Sequence, residues 1–158
     1  MIGRRSLARR YAVLALYQWQ LGGGVPADIA RQFYDDPVWS EALAEGLAEE
    51  DAPAPGRRVY DVQLFDALLR GVTEHVEDID AALHPLLDRA LSSIDPVERA
   101  ILRLGAYELL YCPELPAAVV IDEAIELAKL LGAEQGHRYV NGVLDQLARR
   151  LGHRRAAS

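Results

Sequence analysis

"DPVERAILRLGAYELLYCP", residues 95–113, carries helix signals at both ends. Asp95 stands as an N-cap and Pro96 occupies the first helical position, where its fixed φ suits the turn. Glu98 follows three residues after the cap, the spacing of a capping box. Ile101, Leu102, Leu104 and Leu109 then recur at helical intervals until Cys112-Pro113 breaks the pattern. Nothing in the stretch alternates with a period of two, and the same absence holds outward in both directions.

Downstream, Pro116 opens "PAAVVIDEAIELAKLLG", with Lys129 near the last turn and Gly132 as the C-terminal cap. A last helix is predicted from about Glu134 to Leu151, with Val140, Leu144 and Leu147 as its buried stripe. Gly142 inside it costs roughly 1 kcal/mol relative to alanine, which implies the close approach of another helix. Upstream, a helix carries Ile79, Leu83, Leu86, Leu87 and Leu91, and another spans Val59 to Val72 with Val62, Phe65, Leu68 and Leu69 on one face. "EEDAPAPGRR" (49–58) is a loop, because its prolines and glycine cannot continue a helix. Ahead of it, a helix over Ala27 to Phe33 resumes through Trp39 to Leu47. The first helix, Ser6 to Leu21, stops at Gly22-Gly23-Gly24, and its body from Tyr11 to Leu16 is apolar almost all round, as in a helix enclosed by others. The expectation is an all-α protein of about seven helices.

With 158 residues, 51% of them apolar and 26% charged, the chain reads as one domain able to bury a core without crosslinks. The single cysteine, Cys112, allows no internal disulfide and no zinc site, which fits a reducing cytosol; it reads as a small, partly buried residue. The basic N-terminus lacks the h-region of a signal peptide, and Tyr11 to Trp19 is too short to cross a bilayer. A soluble, cytoplasmic protein without membrane contact is expected. Catalytic groups do not converge: His75, His84, His137 and His153 are scattered, and "LGGGVPAD" lacks the Lys-Ser/Thr of a phosphate loop. The acidic pairs Asp35-Asp36 and Asp122-Glu123 point different ways on a helix and read as solvated faces or caps. The chain is therefore expected to be no enzyme and to need no cofactor or metal.

Charge is segregated. The net charge is -7, yet Arg4, Arg5, Arg9 and Arg10 open the chain without an acid among them, and Arg149, Arg150, Arg154 and Arg155 close it. Between them Asp35, Asp36, Glu41, Glu45, Glu49, Glu50 and Asp51 form an acidic stretch with no compensating cation, whose role the sequence leaves open. A helix N-terminus disfavours cations by a few tenths to about 1 kcal/mol each, so four arginines there are not a choice made for stability. Arg5 and Arg9 share a face and Arg4 and Arg10 flank it, next to the free N–H groups of a helix end, a combination that attracts phosphate. Tyr11, Tyr17 and Trp19 offer rings for stacking on single-stranded bases. Equally open is a solvated terminus that pairs with the acidic stretch, above aromatic residues that are core. A second cationic helix start, His137-Arg138-Tyr139, repeats the combination near the C-terminus.

"ARRYAVLALYQWQ" (8–20), "VERAILRLGAYELL" (97–110), "AVVIDEAIELAKLLGAE" (118–134) and "HRYVNGVLD" (137–145) resemble, in order and spacing, the NusB transcription antitermination factors over essentially the whole chain. The resemblance implies an all-α fold of two packed helical subdomains within a single RNA-binding domain over residues 1–158, an N-terminal bundle of about 4–72 and a C-terminal one of about 75–151. It implies a non-enzymatic protein that binds the boxA element of ribosomal-RNA transcripts together with the small-subunit ribosomal protein acting as NusE, and works with NusA, NusG and RNA polymerase in terminator read-through. Carried over by position, the RNA surface comprises Arg4, Arg5, Arg9, Arg10, Arg103, Gln135, His137, Arg138 and Tyr139, and the NusE surface Tyr17 and Glu98. Glu98 is also the third residue of its own capping box. The chain departs from the family pattern at Ser6 and Leu7, where more arginine is expected, at Arg10, where an acid is expected, and at Gly136, where a more polar residue is expected. Two alternatives are a homodimer or protein-interaction module with a masked basic surface, and the RNA-binding part of a ribosomal-RNA methyltransferase. The second is disfavoured by the end of the chain at Ser158.

Overall fold

A computed structural model of the chain describes residues 3–35, 60–132 and 135–153. Seven α-helices and two 3-10 turns make up these residues, with no strand among them: α1 (Arg4–Gly22), α2 (Pro26–Asp35), α3 (Val62–Glu74), α4 (Val76–Leu83), α5 (Pro96–Tyr111), α6 (Ala117–Leu131) and α7 (Gly136–Arg150). The predicted helix over Trp39 to Leu47, the loop at 49–58, most of the acidic stretch and the arginines at 154 and 155 lie outside the described residues. The chain divides into two compact units, Met1–Thr73 and Glu74–Ser158.

In the first unit, α1 buries Leu7, Ala8, Tyr11, Ala12, Val13, Ala15 and Leu16, so its apolar circumference is core as its composition implies. α1 ends where Gly23 adopts φ 68° and its N–H donates to the Trp19 carbonyl at 2.8 Å, a left-handed turn open to glycine without strain. Four rings fill the unit's centre. Tyr11 meets Tyr60 edge-on at 4.5 Å, Tyr60 meets Phe65 edge-on at 5.9 Å, and Phe33 lies 5.4 Å from Phe65. α3 begins at Val62, where Asp61 caps it: its carboxylate accepts the Leu64 N–H at 2.9 Å; Val59, the predicted start, lies outside the described residues.

In the second unit, α5, α6 and α7 pack on one another and α4 packs on α5. The start of α5 is as read from sequence, with the Asp95 carboxylate accepting the N–H groups of Val97 at 3.1 Å and Glu98 at 3.2 Å. The fourth helix is shorter than predicted. It ends at Leu83, and Leu86, Leu87 and Leu91 lie in 3-10 turns and extended backbone. Pro85 is the physical reason, since it has no N–H to continue the ladder.

The close helix crossing also falls elsewhere. Gly142 is exposed with open space where a Cβ would stand, whereas a Cβ on Gly105 of α5 would lie 2.6 Å from Leu144 Cδ1 of α7. Gly142→Ala is therefore expected to raise stability by about 0.5–1 kcal/mol, through helix propensity alone. Gly105→Ala is expected to lower it by about 1–3 kcal/mol, through overpacking. Thermal or urea unfolding of the two variants checks both signs.

Candidate nucleic-acid interface

The start of α1 has Gly3 as its N-cap with no side-chain capping bond and no acid in the first turn. Its first N–H groups have no partner within the helix, and Arg4 and Arg5 stand exposed beside them. Asp61 fixes this end from α3: its N–H donates to the Arg4 carbonyl at 3.2 Å and its carboxylate lies 3.6 Å from Arg5 Nη1. Arg5 keeps 56% of its side chain exposed, so the ion pair is a loose one. Arg9, one turn on, is only 3% exposed and belongs to the buried residues of α1; Arg10 is half-buried. Tyr17 and Trp19 are half-buried, whereas Tyr11 is core and offers no stacking face.

In the second unit, Arg103 projects from α5 into a two-pronged ion pair with Asp80 of α4, Nε to Oδ1 at 2.9 Å and Nη2 to Oδ2 at 2.9 Å. With 13% of the side chain exposed, Arg103 ties α4 to α5. At the start of α7, Gln135 and Arg138 are exposed, and His137 and Tyr139 are half-buried. Tyr139 is organised by two residues that sequence reasoning had assigned to a longer fourth helix. Its hydroxyl donates to Asp88 Oδ1 at 3.0 Å, and the Arg89 guanidinium lies 5.0 Å from its ring centre. Arg89 in turn donates from Nε and Nη2 to the two Asp88 oxygens at 2.8 and 3.2 Å. The Arg89 bonds first, then the Tyr139 hydroxyl, hold the Asp88 carboxyl below the ordinary range. Burial pushes the Tyr139 hydroxyl up.

Glu98 does not close a reciprocal capping box. Its carboxylate lies against Gly136, the first residue of α7, where a Cβ would come within 2.0 Å of Oε1. The glycine found where a more polar residue was expected thus lets the Glu98 carboxylate lie here, and a larger residue would require that side chain to swing away. Burial, assisted by Asp95 and opposed by Arg89, raises the Glu98 carboxyl above its usual value.

A cationic α1 start, a second polar and cationic helix start at α7, and no strand among the described residues accompany a match to the NusB family model over residues 6–149. The chain belongs to the NusB family. The transcription antitermination protein NusB of Alkalilimnicola ehrlichii is 49% identical over 148 residues, which cover 93% of this chain and 82% of that protein. The protein of the same name from Nitrosococcus oceani is 46% identical over 151 residues, 96% of this chain and 89% of that one. Among solved structures, antitermination factor NusB in a complex with NusE and double-stranded RNA matches with a TM-score of 0.69 at 26% identity, over 95% of this chain and 99% of that one. T. maritima NusB matches with a TM-score of 0.65 at 31% identity, covering 94% and 93% of the respective chains.

Within this NusB-family chain, Asp61, Asp80, Asp88 and Arg89 are the site residues that sequence reasoning missed. Asp80 and Arg103 are 23 positions apart on different helices, a pairing no spacing reveals. Adjacent Asp88 and Arg89 carried a signal only in following Pro85 so closely. No helix among the described residues is long and apolar enough to cross a membrane.

Glu98 provides a pH test. A carboxyl whose folded value is raised binds its proton more tightly in the folded state, so the fold is relatively more stable at low pH. That advantage is lost as pH rises from the ordinary carboxylate value through the folded one. Glu98→Gln is accordingly expected to raise the unfolding midpoint at neutral pH and to lose that advantage below the ordinary glutamate range, as read by urea unfolding at both pH values.

Proposed function

We propose that the protein binds single-stranded boxA RNA of ribosomal-RNA operon transcripts together with the small-subunit ribosomal protein NusE, and promotes read-through by RNA polymerase in a complex with NusA and NusG. The observation that carries this is the exposed pair Arg4 and Arg5 at the uncapped start of α1, whose first turn holds no acid, in a chain of net charge -7. Cations at that position oppose the helix dipole, and a phosphate ligand reverses the sign. In the second unit Arg138 and Gln135 supply further donors, and Tyr139 a ring. Arg9 and Arg10 in the first unit, and Arg103 and His137 in the second, add to binding from less exposed positions. Glu98 and the half-buried Tyr17 are the proposed NusE contacts, Glu98 as the anion for a partner cation. The likeness to a NusB structure that contains both NusE and RNA supports both partners. A binding function without chemistry agrees with the family's role in transcription, and the cytoplasm is the compartment where it is exercised.

Fluorescence titration with a boxA-type single strand, its scrambled counterpart and a duplex, with and without NusE, tests the proposal. Affinity should fall with salt, with a logarithmic slope of about 0.7 per phosphate contacted. Arg5→Ala and Arg138→Ala should each reduce that slope by about that amount while leaving the circular-dichroism spectrum unchanged. Equal affinity for boxA and scrambled RNA under both conditions would remove the specific function. Affinity that rises on dilution alongside a dimer in light scattering would instead mark a masked homodimer.

A further inference from the structure

The three donors gathered on Asp88 are the set that a phosphate group would take. Arg89 Nε and Tyr139 Oη reach Oδ1 at 2.8 and 3.0 Å, and Arg89 Nη2 reaches Oδ2 at 3.2 Å. A planar guanidinium and a phenolic hydroxyl are general phosphate and sugar ligands, and a guanidinium lying over an aromatic ring is a stacking partner for bases. The cluster is at the surface, with 52% of the Arg89 and 63% of the Asp88 side chain exposed. Among the described residues the Glu98 carboxylate also acts on Arg89. Arg89 is thus a cation, in the part of the second unit proposed above to face RNA, whose charge is already answered from within the protein.

We propose that Asp88 is an internal competitor of RNA phosphate, and that Arg89 is an RNA-binding residue which Asp88 keeps in place until RNA displaces the carboxylate. The inference rests on the RNA-binding function proposed above and adds a residue and a regulation to it. Displacement exchanges one charge-assisted pair for another, so it sets a threshold on affinity without reorganising the fold. Because displacement frees the Asp88 carboxylate to take up a cation, it offsets the counterion released from RNA when Arg89 neutralises a phosphate, and the wild-type salt dependence understates the number of cations at the site.

Asp88→Asn removes the charge and keeps an acceptor for the Tyr139 hydroxyl. It is expected to tighten binding of a boxA-type single strand by about two- to fivefold, the scale of losing one exposed ion-pair competitor. It should also steepen the logarithmic salt slope by up to about 0.7. Arg89→Ala is expected to weaken binding, and Asp88→Asn added to Arg89→Ala to restore nothing. Unchanged or weaker binding by Asp88→Asn overturns the inference, since Asp88 would then act as a bystander or a positioning group. An equal gain from Asp88→Asn in the wild-type and Arg89→Ala backgrounds also overturns it, since simple repulsion of RNA by Asp88 would explain that result. If the wild type and every variant fail to bind RNA, the proposed function falls and takes the inference with it. Wild-type binding that is indifferent to these substitutions removes the inference alone.

Discussion

Arg9→Ala is expected to lower the stability of the protein by about 2–4 kcal/mol, whereas Arg5→Ala leaves it within about 0.5 kcal/mol of wild type. The two arginines lie one turn apart and read as equivalent in the sequence, but Arg9 is 3% exposed and Arg5 keeps 56% of its side chain in solvent. Arg9 is engaged by its surroundings in the folded protein, and truncation removes both its packing stem and those polar interactions from a site that water does not reach. Among the described residues Arg5 has only a loose 3.6 Å pairing with Asp61, worth little in solvent. RNA titration should reverse the order among molecules that remain folded. Arg5→Ala reduces affinity and salt slope with the unfolding midpoint unchanged, and Arg9→Ala moves the midpoint first. Urea unfolding followed by titration below the transition checks this, and a midpoint unaffected by Arg9→Ala would return Arg9 to the exposed surface.

That contrast marks the boundary of what the sequence made legible. Helix identity was legible wherever one local rule dominated. The Asp95-Pro96 start of α5 and the glycine stop of α1 stand where the residue types place them. Periodicity without attention to backbone chemistry misled at Leu86, Leu87 and Leu91, which continue the apolar spacing of α4 although Pro85 ends its hydrogen-bond ladder. Glycine gave the correct kind of contact at the wrong place: a helix crossing needs a missing Cβ, but which glycine faces the neighbour depends on tertiary packing, and it is Gly105. For the candidate site, the residue types were legible and their states were not. Arg103 and Tyr139 were placed on the RNA surface by the family resemblance, and each is held by an aspartate, Asp80 and Asp88, from a distant part of the second unit. Pairing across 23 or 51 positions is a property of the fold, which one sequence does not reveal.

Phe65→Ala is the substitution expected to cost most, about 3–5 kcal/mol, a large part of the stability of a protein this size. Phe65 is fully buried on α3 and touches three of the unit's rings, with Phe33 at 5.4 Å, Tyr60 at 5.9 Å and Tyr34 at 6.1 Å. Removing it opens a cavity between rings on α2 and the segment just before α3, so collapse cannot fill the space with one side-chain rotation. The effect should reach the candidate interface through a definite route. Tyr60 packs on both Phe65 and Tyr11, and the next residue, Asp61, caps α3, accepts the Arg5 charge and binds the Arg4 carbonyl. Loosening Tyr60 therefore loosens the frame that presents Arg4 and Arg5. Phe65→Leu, which keeps most of the volume, should cost about 1–2 kcal/mol and keep RNA affinity near wild type. Phe65→Ala should reduce affinity even at temperatures where the circular-dichroism signal is still helical. Equal RNA affinity for the two variants under those conditions would show that the arginines are positioned independently of the aromatic core.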